Sequence, residues 1–282
     1  NEEVRNAQLH ELALAGVKLL VVPFAVTTEQ VASFLPHYNM FLEGERKVEE
    51  RIPQVLDAAA AHGLQVTFSI SDFKGRTAES AALLISHLQS RYGMHPAFRP
   101  IIFVHGAHRH SSGAWHDALS SLSNRSSLQI LGDGTRQHSR VSSLDGTFSR
   151  DWANNGDDDD DDDDDDEVYV PVISPGRDDT RIRPWKVGGK EPRSNAQEFL
   201  ALIQDALLVR QASLVLIDSY NDWVSGTQIE DAVERVVPSI DDCDFARRQR
   251  RLCASLLRQL GISGKYESYT SYLNVTRSSR QL

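Results

Sequence analysis

"LQVTFSISDFKGRTAESAALLISHLQSRYGMHPAFRPIIFVHG", Leu64 to Gly106, holds the fold in miniature. Pro100 to Val104 is apolar throughout, and Leu64 to Ile70 is apolar at every second position with only small or uncharged residues between, Val, Ile and Phe being prominent in both. Between them, "AESAALLISHLQSRYG" has apolar residues three and four apart and ends on Gly93. Two apolar strands joined by a helix predict a parallel pair buried on both faces.

The same alternation continues in both directions. Upstream lie "VKLLVVPF" (Val17 to Phe24) and the helical "RIPQVLDAAAAHG", closed by Gly63. Downstream, a helix around Trp115 to Leu122 leads to "SLQIL", "VSSLDGTFS", "EVYVPVIS" and "ASLVLIDSY". That makes seven strand candidates, the first preceded by an amphipathic helix. The expected fold is α/β, a (β/α)8 TIM-type barrel lacking its first strand in this chain, with a doubly wound open sheet as the alternative. Residues 1–240 are expected to form the barrel, and 241–282 a helix and tail that complete the domain. In such a barrel the chemistry gathers where strands end. The ends to inspect are Phe24, Ser69 to Phe73, His105, Asp145, Ser174 to Arg177 and Ser219 to Ser225.

Charge and cysteine content narrow the function classes. Of the net charge of −10, the run Asp157 to Glu167 supplies eleven negative charges, so the rest of the chain is close to neutral. A neutral domain has no field to steer nucleic acid or an anionic membrane, and neither is an expected partner. "ARRQRRL" (Ala246 to Leu252) sits beside "DDCD" and reads as an ion-paired exposed helix. The acidic run repels itself and cannot bury surface, so it reads as a disordered insertion in a barrel loop. Cys243 and Cys253 read as two unpaired thiols. His105, His108 and His110 lack the spacing of a defined metal motif, and no metal or cofactor is expected. "NRS" at Asn124 and "NVT" at Asn274 are acceptor motifs for N-glycosylation. The chain begins "NEEVRNAQLHEL", without Met, and reads as a piece of a longer protein. A targeting or anchoring segment upstream of residue 1 is compatible with that reading.

Two stretches carry a resemblance. "VISPGRDDTRIRPWKVGGK" and "DSYNDWVSGTQIED" are similar to the two C-terminal motifs of the glycoprotein endo-α-1,2-mannosidases, glycoside hydrolase family 99. Pro175, Gly176, Asp179, Thr180, Ile182, Arg183, Pro184 and Trp185 match the first. Ser219, Asn221, Trp223, Gly226, Thr227, Gln228, Ile229 and Glu230 match the second. "LQVTFSISDF", "RYGMHPAF" and "LDGTFSRDWANNG" agree more loosely. The resemblance implies a barrel acting on or binding mannose-containing glycans, in a Golgi-like lumen of the secretory pathway. Its catalytic positions fall on Asp222 and Ser225, and its substrate-binding positions on Asn221, Trp223, Trp185, Arg183, Asp145, Ser71 and Phe73.

The departures matter as much. The family's second motif carries two glutamates, matching the general need of glycoside hydrolysis for a carboxyl pair. Here the first is Asp222, a methylene shorter, and the second is Ser225, whose hydroxyl cannot serve as an acid near neutrality. Losing a general acid costs about 10²–10⁴ in rate. Ser69, Ser71, Asp72 and Phe73 replace the family's His, Glu, Pro and Tyr. A degenerate relative that still binds mannose-containing glycans or is inert, with hydrolysis weak or lost, is therefore expected. Two alternatives stand beside it. One is an active glycosidase using Asp222 with an acid relocated to Asp218 or Glu230; the other is a scaffold whose acidic loop binds a partner. Asp222 itself has three open roles: base, sugar acceptor or loop brace.

Deleting Asp157 to Asp166 is expected to leave the cooperative thermal transition almost unchanged, since a self-repelling run stabilises nothing. A fall of several degrees in melting temperature on that deletion would show that the run grips a partner within the domain.

Overall fold

The computed structural model describes residues 2–24, 49–71, 76–134, 141–149, 168–178, 190–191, 194–220 and 229. Five α-helices are present among them: α1 (Glu2–Leu14), α2 (Ile52–Ala61), α3 (Ala78–Tyr92), α4 (Ser112–Ser120) and α5 (Ala196–Gln204). The strands are β1 (Leu19–Phe24), β2 (Gln65–Ile70), β3 (Phe98–Val104), β4 (Gln129–Asp133), β5 (Gly146–Ser149) and β6 (Val168–Ile173). They are followed by β7 (Arg177–Asp178), β8 (Lys190–Glu191) and β9 (Leu216–Ile217). Each of the seven strand candidates read from the sequence holds one of β1 to β6 and β9. Among the described residues no helix is long and apolar enough to cross a membrane.

Local chemistry starts the helices where the sequence signals it. Thr77 caps α3, accepting from Ser80 N while the Ser80 hydroxyl accepts from Thr77 N. Asn195 and Glu198 make the same reciprocal box at α5. Pro53 stands in the first turn of α2, where its missing N–H is no loss. Each helix then turns one stripe to the sheet. In α2 the stripe is Ile52, Leu56 and Ala59, spaced four and three apart.

The strands lie in the order β1-β2-β3-β4-β5-β6-β9, and every neighbouring pair is parallel. A doubly wound sheet reverses its strand order at a switch point, and this sheet does not. Its order is that of a β/α barrel. Alternation along the strands sorts the side chains into an outer and an inner layer. Val66, Phe68, Ile70, Ile102, Val104 and Ile130 pack outward against the helices, as do Ile173 and Ile217 further along. Ile101, Phe103, Leu131, Phe148, Val170 and Val172 form a separate inner cluster. Val21 of the first strand and Leu216 of the last both pack against it. The two edges of the sheet share one inner core, so the sheet is curled.

Three small features allow the curl. Register slips between Val66 and Phe68, opposite a stretch of β3 that contains Pro100, which has no N–H to give. The Thr67 hydroxyl donates to the Ile101 carbonyl there. Gly132 has no room for a side chain, because a Cβ would lie 2.7 Å from Leu144 Cδ1 and 2.9 Å from Ala107 Cβ. At Gly146 a Cβ would meet the Val168 carbonyl oxygen at 2.0 Å.

Gly146→Ala therefore forces β5 away from β6, and we expect it to lower the unfolding free energy by about 1–3 kcal/mol. Gly63 has nothing within 4 Å of its would-be Cβ, so Gly63→Ala carries only the cost of its backbone angle and serves as the control. Equal urea midpoints for the two variants would refute the close β5–β6 approach.

Candidate functional site

The C-terminal ends of the strands form the mouth of the curled sheet. Continuing the inward alternation of each strand brings Ser69 and Ser71 of β2, His105 of β3, Asp133 of β4, Ser174 of β6 and Asp218 of β9 to that end. Their backbones are tied sideways. Ser71 N donates to Phe24 O at 3.1 Å, His105 N to Ile70 O at 3.0 Å and Asp218 N to Ile173 O at 2.9 Å. The rim thus carries serines, a histidine and carboxylates, tied sideways along β1–β2–β3 and between β6 and β9.

Asp133 organises one side of it. Its carboxylate accepts from Gly106 N at 2.7 Å and Ala107 N at 2.9 Å, and His108 Nδ1 stands 3.2 Å from Oδ1. Gly106 has a φ of 72°, a left-handed turn that glycine adopts without penalty, and it aims both N–H groups at the carboxylate. Trp115 holds the same turn from behind, its Nε1 donating to Ala107 O at 3.0 Å. His105 packs edge-on to Phe148, with ring centroids 5.1 Å apart, and Phe148 packs edge-on to Phe103 at 5.3 Å. The histidines diverge: His105 lies on Phe148, His108 on Asp133, and His110 near Trp115.

The other side is built from the roots of two loops. After β6, the Ser174 hydroxyl donates to Gly176 O at 2.9 Å. β7 and β8 then pair antiparallel, Arg177 with Glu191 and Asp178 with Lys190. Ser194 N reaches back to Pro175 O at 2.8 Å. The stretch 179–189, with Arg183 and Trp185, is therefore closed at its base. After β9, Ile229 N donates to both Ser219 O and Tyr220 O at 3.0 Å, and Ile229 is buried. The stretch 221–228, with Asn221, Asp222, Trp223 and Ser225, is closed in the same way. β6 and β9 are direct neighbours, Ile173 opposite Ile217. The two motifs, about forty residues apart in sequence, are thus rooted side by side.

Arg183, Trp185, Asn221, Asp222, Trp223, Ser225 and Phe73 themselves lie outside the described residues, as do the acidic run and residues 241–282. Ser71 stands on the rim. Asp145 does not, and this corrects the expectation that it lines the cleft. The strand in "VSSLDGTFS" begins only at Gly146, so Asp145 precedes β5 at the opposite end from the mouth. There its Oδ2 accepts from Ile130 N at 2.7 Å and its Oδ1 pairs with Arg125 at 2.9 Å. It braces the sheet floor. Asp133, in turn, was hidden because "SLQIL" runs two residues beyond its apolar part. The signal that points to it is "GDG", a carboxylate between turn-formers directly after a strand.

Among the described residues, one shifted titration lies behind the sheet. Burial pushes the Tyr92 phenol up, and the Glu49 carboxylate adds to it. Glu49 also sits 2.6 Å from His87 Nε2, and the His87 ring stacks on Phe24. This cluster packs on the outer face and is no part of the mouth.

Comparison with known proteins finds similarity over part of the sequence and in the fold. The model of glycosyl hydrolase family 99 matches residues 159–266. The glycoprotein endo-alpha-1,2-mannosidase of Xenopus laevis is 25% identical over 242 residues, 75% of this chain and 54% of that protein. A human glycoprotein endo-alpha-1,2-mannosidase-like protein is 27% identical over 242 residues, 75% of this chain and 52% of that one. The chain spans about half the length of the curated relatives it matches. The solved GH99 endo-alpha-mannosidase of Bacteroides thetaiotaomicron superposes with a TM-score of 0.69 at 20% identity, covering 100% of this chain and 79% of that one. That likeness is one of fold, the (β/α)8 type.

Asp145→Ala should cost about 1–3 kcal/mol of unfolding free energy, because it strands the Ile130 N–H and the Arg125 guanidinium. Asp145→Asn retains a carbonyl acceptor and should cost less. Denaturant unfolding of both variants reads this out, and an unchanged midpoint for Asp145→Ala would remove its bracing role.

Proposed function

We propose, from the kinship of this chain with glycosyl hydrolase family 99, that it is a mannosidase-like protein whose barrel mouth binds mannose-containing glycans in a secretory lumen, with hydrolysis weak or lost. One observation carries the reading. The loops bearing the two family-like motifs are rooted on the neighbouring strands β6 and β9, beside a rim of hydroxyls and carboxylates. Sugars are recognised by the combination this offers: apolar faces for the ring and charged or neutral acceptors for its hydroxyls.

In this reading Trp185 and Trp223 supply the flat faces. Asp222 accepts from sugar hydroxyls, Asn221 adds an amide, and Ser71 and Phe73 close the side contributed by β2. Arg183 ties its own loop together. A glycosidase needs one carboxyl to protonate the leaving oxygen and one to attack, assist or activate water. Ser225 offers a hydroxyl that neither loses nor gives a proton at the required acidity, and Asp222 reaches one methylene less far than a glutamate. The ring can be held while the bond is left intact.

A relocated acid is the competing reading, and Asp218 favours it, being a carboxylate at the end of β9 with its backbone fixed to Ile173 O at 2.9 Å. Calorimetric titration with an α-1,2-linked manno-oligosaccharide, followed by product analysis after long incubation, separates the two. We expect binding without turnover. Trp223→Ala, Trp185→Ala and Asp222→Ala should each weaken binding roughly tenfold or more, about 1.4 kcal/mol, and Ser225→Ala should leave it intact. Asp222→Glu with Ser225→Glu should restore slight activity, confined to substrates with activated leaving groups. Turnover of a natural mannoside by the unaltered chain at ordinary glycosidase rates would end the binding-only reading and make Asp218 and Glu230 the residues to mutate.

A further inference from the structure

Asn124 begins "NRS", in the turn that joins α4 to β4. Its backbone is left-handed, φ 59° and ψ 33°, and a short 3-10 turn over Arg125–Ser127 follows it. The Asn124 carbonyl accepts from Ser127 N at 2.9 Å and from the Ser127 hydroxyl at 2.8 Å, so the turn is closed on itself. Asn124 and Ser126 are exposed. Their side chains have no hydrogen-bond partner among the described residues. The residue between them does the opposite. Arg125 turns inward, donating to Leu128 O at 2.9 Å and pairing with Asp145 at 2.9 Å.

We propose that Asn124 is an N-glycosylation site, carrying a glycan on the floor of the barrel; this rests on the secretory reading above. The acceptor needs an asparagine amide and, two residues on, a hydroxyl, both presented to solvent. Arg125 anchors the middle of that triplet and so fixes its two outer members facing water. The donor is an oligosaccharide linked to a lipid pyrophosphate. The bond between sugar C1 and the pyrophosphate oxygen breaks, and the lipid pyrophosphate leaves with the electron pair. Asn124 Nδ2 bonds to C1 and gives up one proton. The site precedes β4, whereas the mouth lies beyond its far end, about 15 Å away along five residues. A bulky glycan here leaves the mouth open and shields the floor. The left-handed backbone suits asparagine among side-chain-bearing residues.

The test expresses the full chain behind a cleavable secretion signal in eukaryotic cells and maps occupancy by peptide mass spectrometry, with and without N-glycosidase. Site mapping separates Asn124 from the second motif at Asn274. Occupancy at Asn124 is expected, lost to background in Asn124→Gln and in Ser126→Ala, and retained in Ser126→Thr. Ser126→Ala leaves the left-handed residue untouched, so its loss of glycan cannot be a folding defect. A secreted, folded chain with Asn124 wholly unmodified would overturn the proposal. The chain isolated from its own cells then speaks to the compartment. Asn124 bare there but occupied in the secretion-directed chain would support the site and defeat the secretory reading.

Discussion

The inner face of the sheet is the constraint on which everything else rests. Ile101, Phe103, Leu131, Phe148, Val170 and Val172 point away from the helices and would meet water in a flat sheet. Burying such side chains is worth roughly 1.5–3 kcal/mol each. Curling brings Val21 from one edge and Leu216 from the other onto the same cluster and removes all of them from solvent together. The helices need not compete for this face, because they have the other one. A mouth then exists as a matter of geometry: parallel strands that curl must end on a common rim.

What occupies the rim follows from the strand ends. Inside, alternation places apolar groups. One or two steps further, where burial no longer demands them, the rows of β3, β4, β6 and β9 continue into His105, Asp133, Ser174 and Asp218, while β2 is polar along its whole inner row, Thr67, Ser69 and Ser71. Asp133 shows how the rim sets its own shape, since three groups of the β3–α4 turn converge on one carboxylate. The closed roots of stretches 179–189 and 221–228 show the same economy. Each is pinned by main-chain hydrogen bonds, which any side chain permits. Main-chain bonds at these flanks leave the side chains of either stretch free to differ, which is compatible with the departures at Asp222 and Ser225.

The sequence showed the strands well because a strand covered on both faces has little freedom: "LQVTFSI" and "PIIFVHG" admit few other readings. It showed the order of the sheet less directly, since periodicity says nothing of neighbours. It was weakest at strand boundaries. Asp145 looked like a rim residue because "VSSLDGTFS" carries no mark of where pairing starts; the start is set by the Gly146–Val168 approach, a contact between distant residues. Asp133 is hard to read as a strand end for the mirror reason, as β4 continues past its apolar core through Gly132. A polar residue at a strand end is legible as polar, but the face and the end it serves depend on partners that sequence spacing does not name.

One contact reaches across nearly the whole described chain. The Tyr220 hydroxyl donates to Glu11 Oε2 at 3.0 Å, and Ala15, just past α1, is buried in one cluster with Ile173, Phe199 and Ile203. Leu9 and Leu12 of the same helix pack instead into the cluster that holds α2 and β1. On a ribosome these two sets of contacts have different histories. Val17, Leu20 and the residues of α2, which share a cluster with Leu9 and Leu12, emerge soon after α1. Tyr220 emerges 209 residues after Glu11, a wait of roughly 10–40 s at ordinary synthesis rates. Throughout that interval α1 can hold only its earlier contacts, and the bond from Glu11 waits for the residues that follow β9.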